Sequence, residues 1–371
     1  MKLENQNILI ISNEAWGDIW YSKHNYAYEL SKKNSVYFID PAPRWKFENL
    51  FNPSVTIKSV GNNLYIISYL NFLPALNILF LLINNFIISR RLRLFLLRKE
   101  IKKPLIWTFD PYRLFNPKLL NPVLSIFHCV DKFAFKHKAE KILCKSVDVF
   151  ILVSEDFIED YKPFKKTIIV IPHGISSEEF NVSEVEKNFF DIPVKDYALY
   201  IGNIDDRLDY ELIEKALIKF PGTNFVFIGN IFYSKTNITA NKIFRSKTYK
   251  NLIFIGPKPF KQLKAYIEKA KLCLALMNKD HPGNTISHHK IYQYFALGKP
   301  VLGIEFSEYK AIPDLIYMNN DHDKILNQFE VFLNQNEDIA LFTKRIEYAR
   351  ERTYEKLFCK IENKLTEYKK Q

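Results

Sequence analysis

Residues 287–302 read Ser-His-His-Lys-Ile-Tyr-Gln-Tyr-Phe-Ala-Leu-Gly-Lys-Pro-Val-Leu, and the rest of the chain is best interpreted outward from this run. Ser287 can cap a helix whose apolar residues are spaced to face a core, and Gly298 is typical of a helix end. The Pro-Val-Leu that follows predicts a buried strand. Lys290 falls in the first turn, where a cation opposes the helix dipole unless an anion binds there too. The run therefore indicates a phosphate site, although a surface lysine on an ordinary amphipathic helix fits the spacing equally well.

Short apolar runs alternate with helical patterns along the 371 residues, which is typical of parallel sheets with crossover helices. We predict strands at residues 8–11, 36–39, 64–67, 105–107, 124–127, 149–153, 168–171, 197–201, 224–228, 252–255, 272–276 and 300–303. The fold class is therefore α/β, with two doubly wound, Rossmann-like domains. A polar stretch near Glu179–Pro193 suits the hinge, and the tail 340–370 has a helical pattern. The predicted boundaries are 1–185 and 186–348, with a final helix at 349–371.

The run that begins at Ser287 resembles the donor-site helix of GT-B glycosyltransferases, most closely the GT4-like bacterial enzymes of polysaccharide assembly, including the teichuronic-acid type. Segments 138–154, 171–175 and 200–209 are similar to other parts of these enzymes and occur in the expected order. The resemblance implies a GT-B fold in which domain 1–185 binds the acceptor and domain 186–348 binds a nucleotide-sugar. It also implies that the terminal helix returns to the N-terminal domain. The donor is then a substrate, a nucleotide-diphosphate sugar, and no cofactor is expected.

The resemblance gives a set of donor-binding residues. Gly202 would let the backbone approach the diphosphate, Arg207 and Lys290 would supply positive charge, and Ser287 a hydroxyl. His173 would lie in a loop that abuts the donor. The alternatives are a strand-to-helix turn at Gly202, an ion pair of Arg207 with Asp205 or Asp209, and a plain turn at His173.

The stereochemistry of the reaction is left open by the sequence. Many retaining GT4 enzymes carry Glu-x7-Glu, and the two positions here are Ile286 and Gln293. Gln293 can still bind ribose hydroxyls, whereas Ile286 cannot replace a carboxylate. An inverting enzyme would need a general base. The candidates follow predicted strands in the N-terminal half: Asp18, Asp131 and His128 are favoured over His24 and Asp110.

A nearly continuous apolar segment, residues 70–89, is followed by a basic one that extends to Lys103. Pro74 and Asn77 weaken the interpretation of a transmembrane helix. We expect a helix pair across 70–103 that lies on an anionic membrane surface with its apolar side down. The alternative is a buried core helix with a solvated basic end. The net charge of +12 suits an anionic partner but does not identify it.

Composition narrows the function further. The four cysteines are far apart, so we expect a reducing compartment and no metal site. An apolar strand begins at Asn7, which leaves no room for a signal peptide and predicts a cytoplasmic protein, peripheral on the inner face of the membrane. The predicted function is transfer of a sugar to a lipid-linked or cell-surface glycan acceptor in capsule, O-antigen or teichuronic-type biosynthesis. A catalytically inactive scaffold that binds nucleotide-sugars is the alternative. Nucleic-acid binding is disfavoured, because the aromatic residues follow core patterns.

Overall fold

The structure, a computed structural model, describes residues 1–51, 54–131, 137–281, 286, 288–336 and 338–370. It divides into two compact units: unit 1 comprises Met1–Pro172 and Tyr354–Gln371, and unit 2 comprises His173–Thr353. The expected boundaries at residues 185 and 348 both lie inside unit 2. A backbone hydrogen bond explains this position, because the Ile175 N–H donates to the Arg352 carbonyl over 3.0 Å and joins the two ends of unit 2.

Unit 1 is built on an eight-stranded sheet of order β3-β4-β2-β1-β5-β6-β7-β8, in which all neighbours are parallel except β3 and β4. Its central strands are buried along their whole length, because helices cover both faces of a parallel sheet. The strands are β1 (Asn7–Ile11), β2 (Ser35–Ile39), β3 (Val55–Gly61), β4 (Leu64–Tyr69), β5 (Leu105–Thr108), β6 (Leu124–Cys129), β7 (Val149–Leu152) and β8 (Thr167–Val170).

Unit 2 is built on a six-stranded parallel sheet of order β11-β10-β9-β12-β13-β14. Counted within the unit, this is 3-2-1-4-5-6, the doubly wound order, so the predicted fold class is confirmed. The order reverses between β9 and β12, which is where such sheets bind ligands. The strands are β9 (Tyr197–Ile201), β10 (Phe225–Ile228), β11 (Leu252–Phe254), β12 (Ala270–Ala275), β13 (Val301–Gly303) and β14 (Ile316–Met318).

Twelve α-helices occur in the described part of the chain. They are α1 (Ser22–Ser31), α2 (Ile78–Arg98), α3 (Lys138–Ser146), α4 (Ile158–Tyr161), α5 (Glu184–Lys187), α6 (Tyr210–Lys219), α7 (Ile238–Phe244), α8 (Leu263–Lys269), α9 (His289–Ala296), α10 (His322–Asn334), α11 (Ile339–Arg350) and α12 (Tyr354–Lys370). Short 3-10 helices lie at Phe47–Leu50, Pro117–Leu120, Glu155–Phe157, Lys162–Phe164, Ser177–Phe180, Phe260–Gln262 and Ser307–Tyr309.

The helical pattern predicted over 340–370 is confirmed, and it forms two helices, with the last one beginning at Tyr354 and not at residue 349. The break lies at 351–353, and it separates α11 in unit 2 from α12 in unit 1. Helix α12 buries Tyr354, Leu357, Ile361 and Leu365 in the core of unit 1, beside strand residues such as Trp107. The final helix therefore belongs to the N-terminal unit, as the resemblance implies.

Segment 70–103 contains one helix, α2, and the expected helix pair is wrong. Asn77 caps α2 by accepting from the Phe80 N–H over 3.0 Å. Asn84 holds the preceding loop, because its amide exchanges two 2.7 Å hydrogen bonds with the Leu73 backbone. These bonds replace the helical hydrogen bonds that residues 70–77 would otherwise need. Within the described residues, every helix is too short or too polar to cross a membrane.

Candidate functional site

Three neighbouring strands of unit 2 end in the same aromatic-Ile-Gly sequence: 200–202 at β9, 227–229 at β10 and 254–256 at β11. Gly202 and Gly229 have φ of +144° and +154°, which L side chains rarely adopt. A Cβ on Gly229 would lie 1.9 Å from the Gly202 carbonyl oxygen. The Gly202 N–H also donates to the Ile228 carbonyl over 2.9 Å. The ends of β9 and β10 therefore meet backbone to backbone, and only glycine fits there.

Helix α9 is held against β9 by its C-terminal half and ends against α11. The Tyr294 hydroxyl accepts a 3.0 Å hydrogen bond from the Ile201 N–H, so α9 is attached to the last residue of β9. Gly298 ends the helix at φ +71°, and a Cβ there would meet the Phe342 ring at 2.2 Å. The predicted helix is confirmed, and Lys290 is its second residue. The structure gives His288 as the N-cap, and Ser287 lies outside the described residues.

Lys290 points at the end of β9. Its ammonium lies 4.1 Å from the centroid of the Tyr200 ring, a cation–π contact, and 3.0 Å from the position that a Cβ on Gly202 would take. Burial, and to a smaller extent the charge of Arg207, lowers the pKa of Lys290 to about 7, while Asp205 opposes the shift. Sequence analysis predicted Gly202 and Lys290 separately, and the structure places them side by side.

Arg207 forms the ion pair that sequence analysis gave as its alternative role. Its guanidinium binds both carboxylate oxygens of Asp205, at 3.0 Å from Nε to Oδ1 and 2.7 Å from Nη2 to Oδ2. Asp209 caps α6 by accepting a hydrogen bond from the Leu212 N–H, and its carboxylate also contacts His322. Since Arg207 keeps 41% of its side chain exposed, it can also present positive charge to a ligand.

His173 lies against the start of α9. Its ring centroid is 5.8 Å from that of His289, with the two planes nearly perpendicular. His289 Nε2 lies 2.9 Å from the Gly174 carbonyl oxygen, and burial lowers its pKa to about 4. His289 is therefore neutral at physiological pH and donates to that carbonyl. This contact joins the loop after residue 172 to the first turn of α9, where His173 lies beside His289, the residue before Lys290.

Gln293 is buried, and its amide donates to Glu179 Oε2 over 3.3 Å. Burial raises the pKa of Glu179 to about 7, although the nearby Lys264 lowers it. The glycosyltransferases that this sequence resembles carry Glu at the position of Gln293. Here the Gln293 amide binds a carboxylate that lies 114 positions earlier in the chain. Two carboxylates in this position would repel each other. The predicted contact of Gln293 with a ribose stays a prediction.

The three base candidates lie in unit 1 at the carboxyl ends of β1 and β6. Asp18 and Asp131 are exposed in the loops that follow these strands. His128 is a core residue with 1% exposure, and it accepts a 3.2 Å hydrogen bond from the indole N–H of Trp107. Burial lowers its pKa to about 3. The surroundings of His128 argue against a role as base, because its ring packs between aromatic side chains.

Sequence analysis missed a buried cation at the same edge of unit 1. Lys23, 6% exposed, donates to the Asn13 side chain over 2.5 Å, and burial lowers its pKa. Arg113 pairs with the buried Asp110 at 2.5 Å and donates to the Ser12 carbonyl. In unit 2 it missed Tyr200, Gly229 and Glu179. The repeated aromatic-Ile-Gly sequence was the available signal for Gly229.

No group of three or more potential metal ligands lies together in the described ranges. No protein-family model matches the chain. It is 26% identical, over 168 residues, to a Bacillus subtilis protein, TuaH, provisionally named as a teichuronic acid biosynthesis glycosyltransferase. The alignment covers 44% of this chain and 41% of that protein, so the match spans less than half of either.

Solved structures match nearly the whole chain. A sucrose-phosphate synthase from Thermosynechococcus elongatus superposes with a TM-score of 0.70 at 14% identity, over 98% of this chain and 99% of that one. This chain has the GT-B fold. The GT-B fold is also found in an E. coli structure described as trehalose-6-phosphate bound with UDP-2-fluoro glucose, at TM-score 0.67 and 11% identity over 98% and 99% of the chains. A UDP-forming trehalose-phosphate synthase from Burkholderia xenovorans, in complex with glucose-6-phosphate, superposes with a TM-score of 0.66 at 12% identity, over 98% of this chain and 100% of that one.

Proposed function

We propose that this chain is a glycosyltransferase that takes its sugar from a nucleotide-diphosphate sugar bound at unit 2. The observation that carries the proposal is the position of Lys290, on the first turn of α9, 4.1 Å above Tyr200 and beside the Gly202 backbone. A half-buried lysine with a lowered pKa at the switch point of a doubly wound sheet suits a polyanionic ligand. The E. coli structure described with UDP-2-fluoro glucose supports the same choice of donor.

The chemistry requires that the charge developing on the diphosphate be neutralised as its bond to the anomeric carbon breaks. Lys290 supplies the ammonium, and an anion beside it favours its protonated form. Arg207 adds a second cation, held by Asp205. Gly202, whose missing side chain faces the Lys290 ammonium, would let a phosphate beside that ammonium approach the backbone. This arrangement uses side chains and backbone of unit 2 alone, so we propose a metal-independent reaction.

For the acceptor, we propose a lipid-linked or cell-surface glycan in polysaccharide biosynthesis, used at the inner face of the cell membrane with segment 70–103 in peripheral contact. The partial match to TuaH supports this choice. The structural neighbour with bound glucose-6-phosphate favours a sugar phosphate instead. Product analysis with both acceptor classes separates the two, and transfer to a sugar phosphate alone would overturn the lipid-linked choice.

The donor is tested by thermal stabilisation with UDP-, GDP-, TDP- and CMP-linked sugars. A ligand at about a hundred times its Kd adds about 2.7 kcal/mol to the free energy of unfolding. We expect sugars linked to one of the nucleotides to raise the melting temperature and Lys290→Ala to abolish this increase. Lys299 lies in the same run of sequence, and Lys299→Ala should keep the increase. The proposal fails if no donor shifts the protein or if both variants respond alike.

A catalytically inactive scaffold that binds nucleotide-sugars is the second candidate. One observation favours it: Ile286 occupies the position at which many retaining GT4 enzymes carry a carboxylate. Under this alternative the donor stabilises the protein, yet neither hydrolysis of the donor nor transfer follows with any acceptor. Detection of radiolabelled product from a labelled donor would decide against it.

A further inference from the structure

Helix α2 in unit 1 has an inverted distribution of polar and apolar residues. Its inward face contains Asn84, Asn85 and Ser89, which are 4%, 6% and 0% exposed. Asn84 binds the Leu73 backbone, and Asn85 accepts from the Asn116 N–H over 3.3 Å. A surface helix of a globular protein normally turns its apolar residues inward and its polar residues outward. The first half of α2 therefore uses its inward face for hydrogen bonds.

The outward face of the same half is apolar. Leu79, Leu82 and Phe86 are 59%, 41% and 53% exposed, and their spacing of three and four places them in one row. Arg90 and Arg93 continue the row and are exposed. Leu94 and Leu97, 51% and 41% exposed, lie among these arginines, so this side of the helix changes from apolar to a mixture of basic and apolar residues along its length. This pattern is typical of a helix that lies in a membrane interface.

Two phenylalanines from the 3-10 helix Phe47–Leu50 and its end extend the apolar area. Phe47 and Phe51 are 67% and 78% exposed, and their rings meet at 5.9 Å between centroids. The loop before α2 is tied to this segment, because the Trp45 indole donates to the Phe72 carbonyl over 3.1 Å and the Asn49 side chain to the Asn71 carbonyl over 3.3 Å. Exposed aromatic residues therefore lie beside the start of α2.

We infer that Phe47, Phe51, Leu79, Leu82, Phe86, Arg90 and Arg93, together the docking face, seat unit 1 on a bilayer that contains anionic lipid. The inference deepens the proposed function and rests on it for an acceptor at the membrane. Charge selects the occupant: no Asp or Glu occurs between Glu48 and Glu100, whereas Arg98, Lys99, Lys102 and Lys103 follow the docking face directly. Glu48, exposed beside Phe47, is outnumbered by these arginines and lysines, and a net positive surface matches lipid phosphates. The apolar side chains would enter the boundary between head groups and acyl chains.

Vesicle co-sedimentation tests the inference, with phosphatidylcholine vesicles compared with vesicles that also contain about 30% phosphatidylglycerol. We expect binding to the anionic vesicles, weakened by salt. Leu79→Gln combined with Phe86→Gln should reduce the partition coefficient about tenfold or more. Arg90→Gln combined with Arg93→Gln should reduce it about 25-fold. The control pair, Val185→Gln with Ile238→Gln, removes apolar side chains of unit 2 that are more exposed than Leu79 and Phe86, and it should bind normally.

Three results would overturn the inference: no sedimentation with either vesicle, equal binding by the Leu79/Phe86 variant and the control, or equal binding to neutral and anionic vesicles. A fourth overturning result is self-association without vesicle binding, measured by light scattering. If the Leu79/Phe86 variant abolishes that self-association, the docking face binds a second copy of the chain. Donor stabilisation is measured on the same samples. If it persists while vesicle binding fails, the proposed donor function stands, and the docking face is wrong together with the proposed membrane contact of segment 70–103.

Discussion

The side chain of Lys290 has a pKa of about 7 in the empty protein, so pH should control donor binding. An anionic donor prefers the protonated amine, which is fully present below pH 7 and is lost as pH rises through that value. Binding raises the pKa of the amine, so Kd should be constant below pH 7 and rise by up to about tenfold per pH unit above it. Calorimetric titration between pH 6 and pH 9 measures this dependence.

The control is Lys290→Gln, which has no amine to titrate and should bind weakly with a Kd that is nearly constant over this range. A wild-type Kd that does not change between pH 6 and pH 9 would contradict the position that we give Lys290 beside the donor phosphates.

The contact between Gln293 and Glu179 leads to a second prediction. Gln293→Glu would place two carboxylates in a buried position, at the 3.3 Å separation that the amide now has. We expect a loss of about 1–3 kcal/mol in the free energy of unfolding at pH 8, where Glu179 is ionised. The loss should be smaller at pH 6, since a protonated Glu179 can donate a hydrogen bond. Denaturant titrations at both pH values measure it.

Glu179→Gln combined with Gln293→Glu exchanges the two groups and restores one carboxylate and one amide. This double variant should recover most of the stability that Gln293→Glu loses, and a simple sum of the two single effects would argue that the side chains do not interact.

At the scale of elements, the close backbone contact between the ends of β9 and β10 predicts that one methyl group added at Gly229 destabilises the protein. Gly229→Ala requires a strained φ of +154° and places Cβ 1.9 Å from a backbone oxygen. We expect a loss of more than about 3 kcal/mol, or failure to fold. Gly222→Ala is the matched control, because a Cβ there meets no described atom within 4 Å. Thermal unfolding of both variants tests this, and equal melting temperatures would contradict it.

The strands were predictable where both faces are buried, since runs such as 197–201 and 149–153 contain only apolar residues or tyrosine. Strand β3 was missed because most of its residues are exposed at the edge of the sheet. In the candidate site, the position of Lys290 in the first turn of α9 could be predicted because a helix start is a local pattern, whereas its role in donor binding stays a prediction. Contacts such as Gln293 with Glu179 join positions far apart in the chain, and one sequence contains no pattern that reveals them.

At the scale of the whole molecule, α12 determines the stability of unit 1. Leu357→Ala removes a side chain that is 0% exposed and should cost about 2–5 kcal/mol. All four tryptophans, Trp16, Trp20, Trp45 and Trp107, lie in unit 1, so their emission reports on this unit alone. We expect the tryptophan transition in guanidinium to occur at lower denaturant. Lys360→Ala, on the exposed side of α12, should leave the midpoint unchanged, and an equal shift in both would contradict the assignment.

The first and last parts of the chain complete one core. Leu3 lies in the same cluster as Leu357 and Leu365, its N–H donates to Glu362, and the Met1 amino group donates to Thr366. Leu3 and Glu362 are 359 positions apart, so a ribosome delivers Leu3 long before its partner. Unit 2, which is continuous from His173 to Thr353, has all of its residues before unit 1 does. Nascent unit 1 must therefore wait, with its sheet uncovered, until residues 354–370 emerge, and chaperone binding should be strongest during that interval.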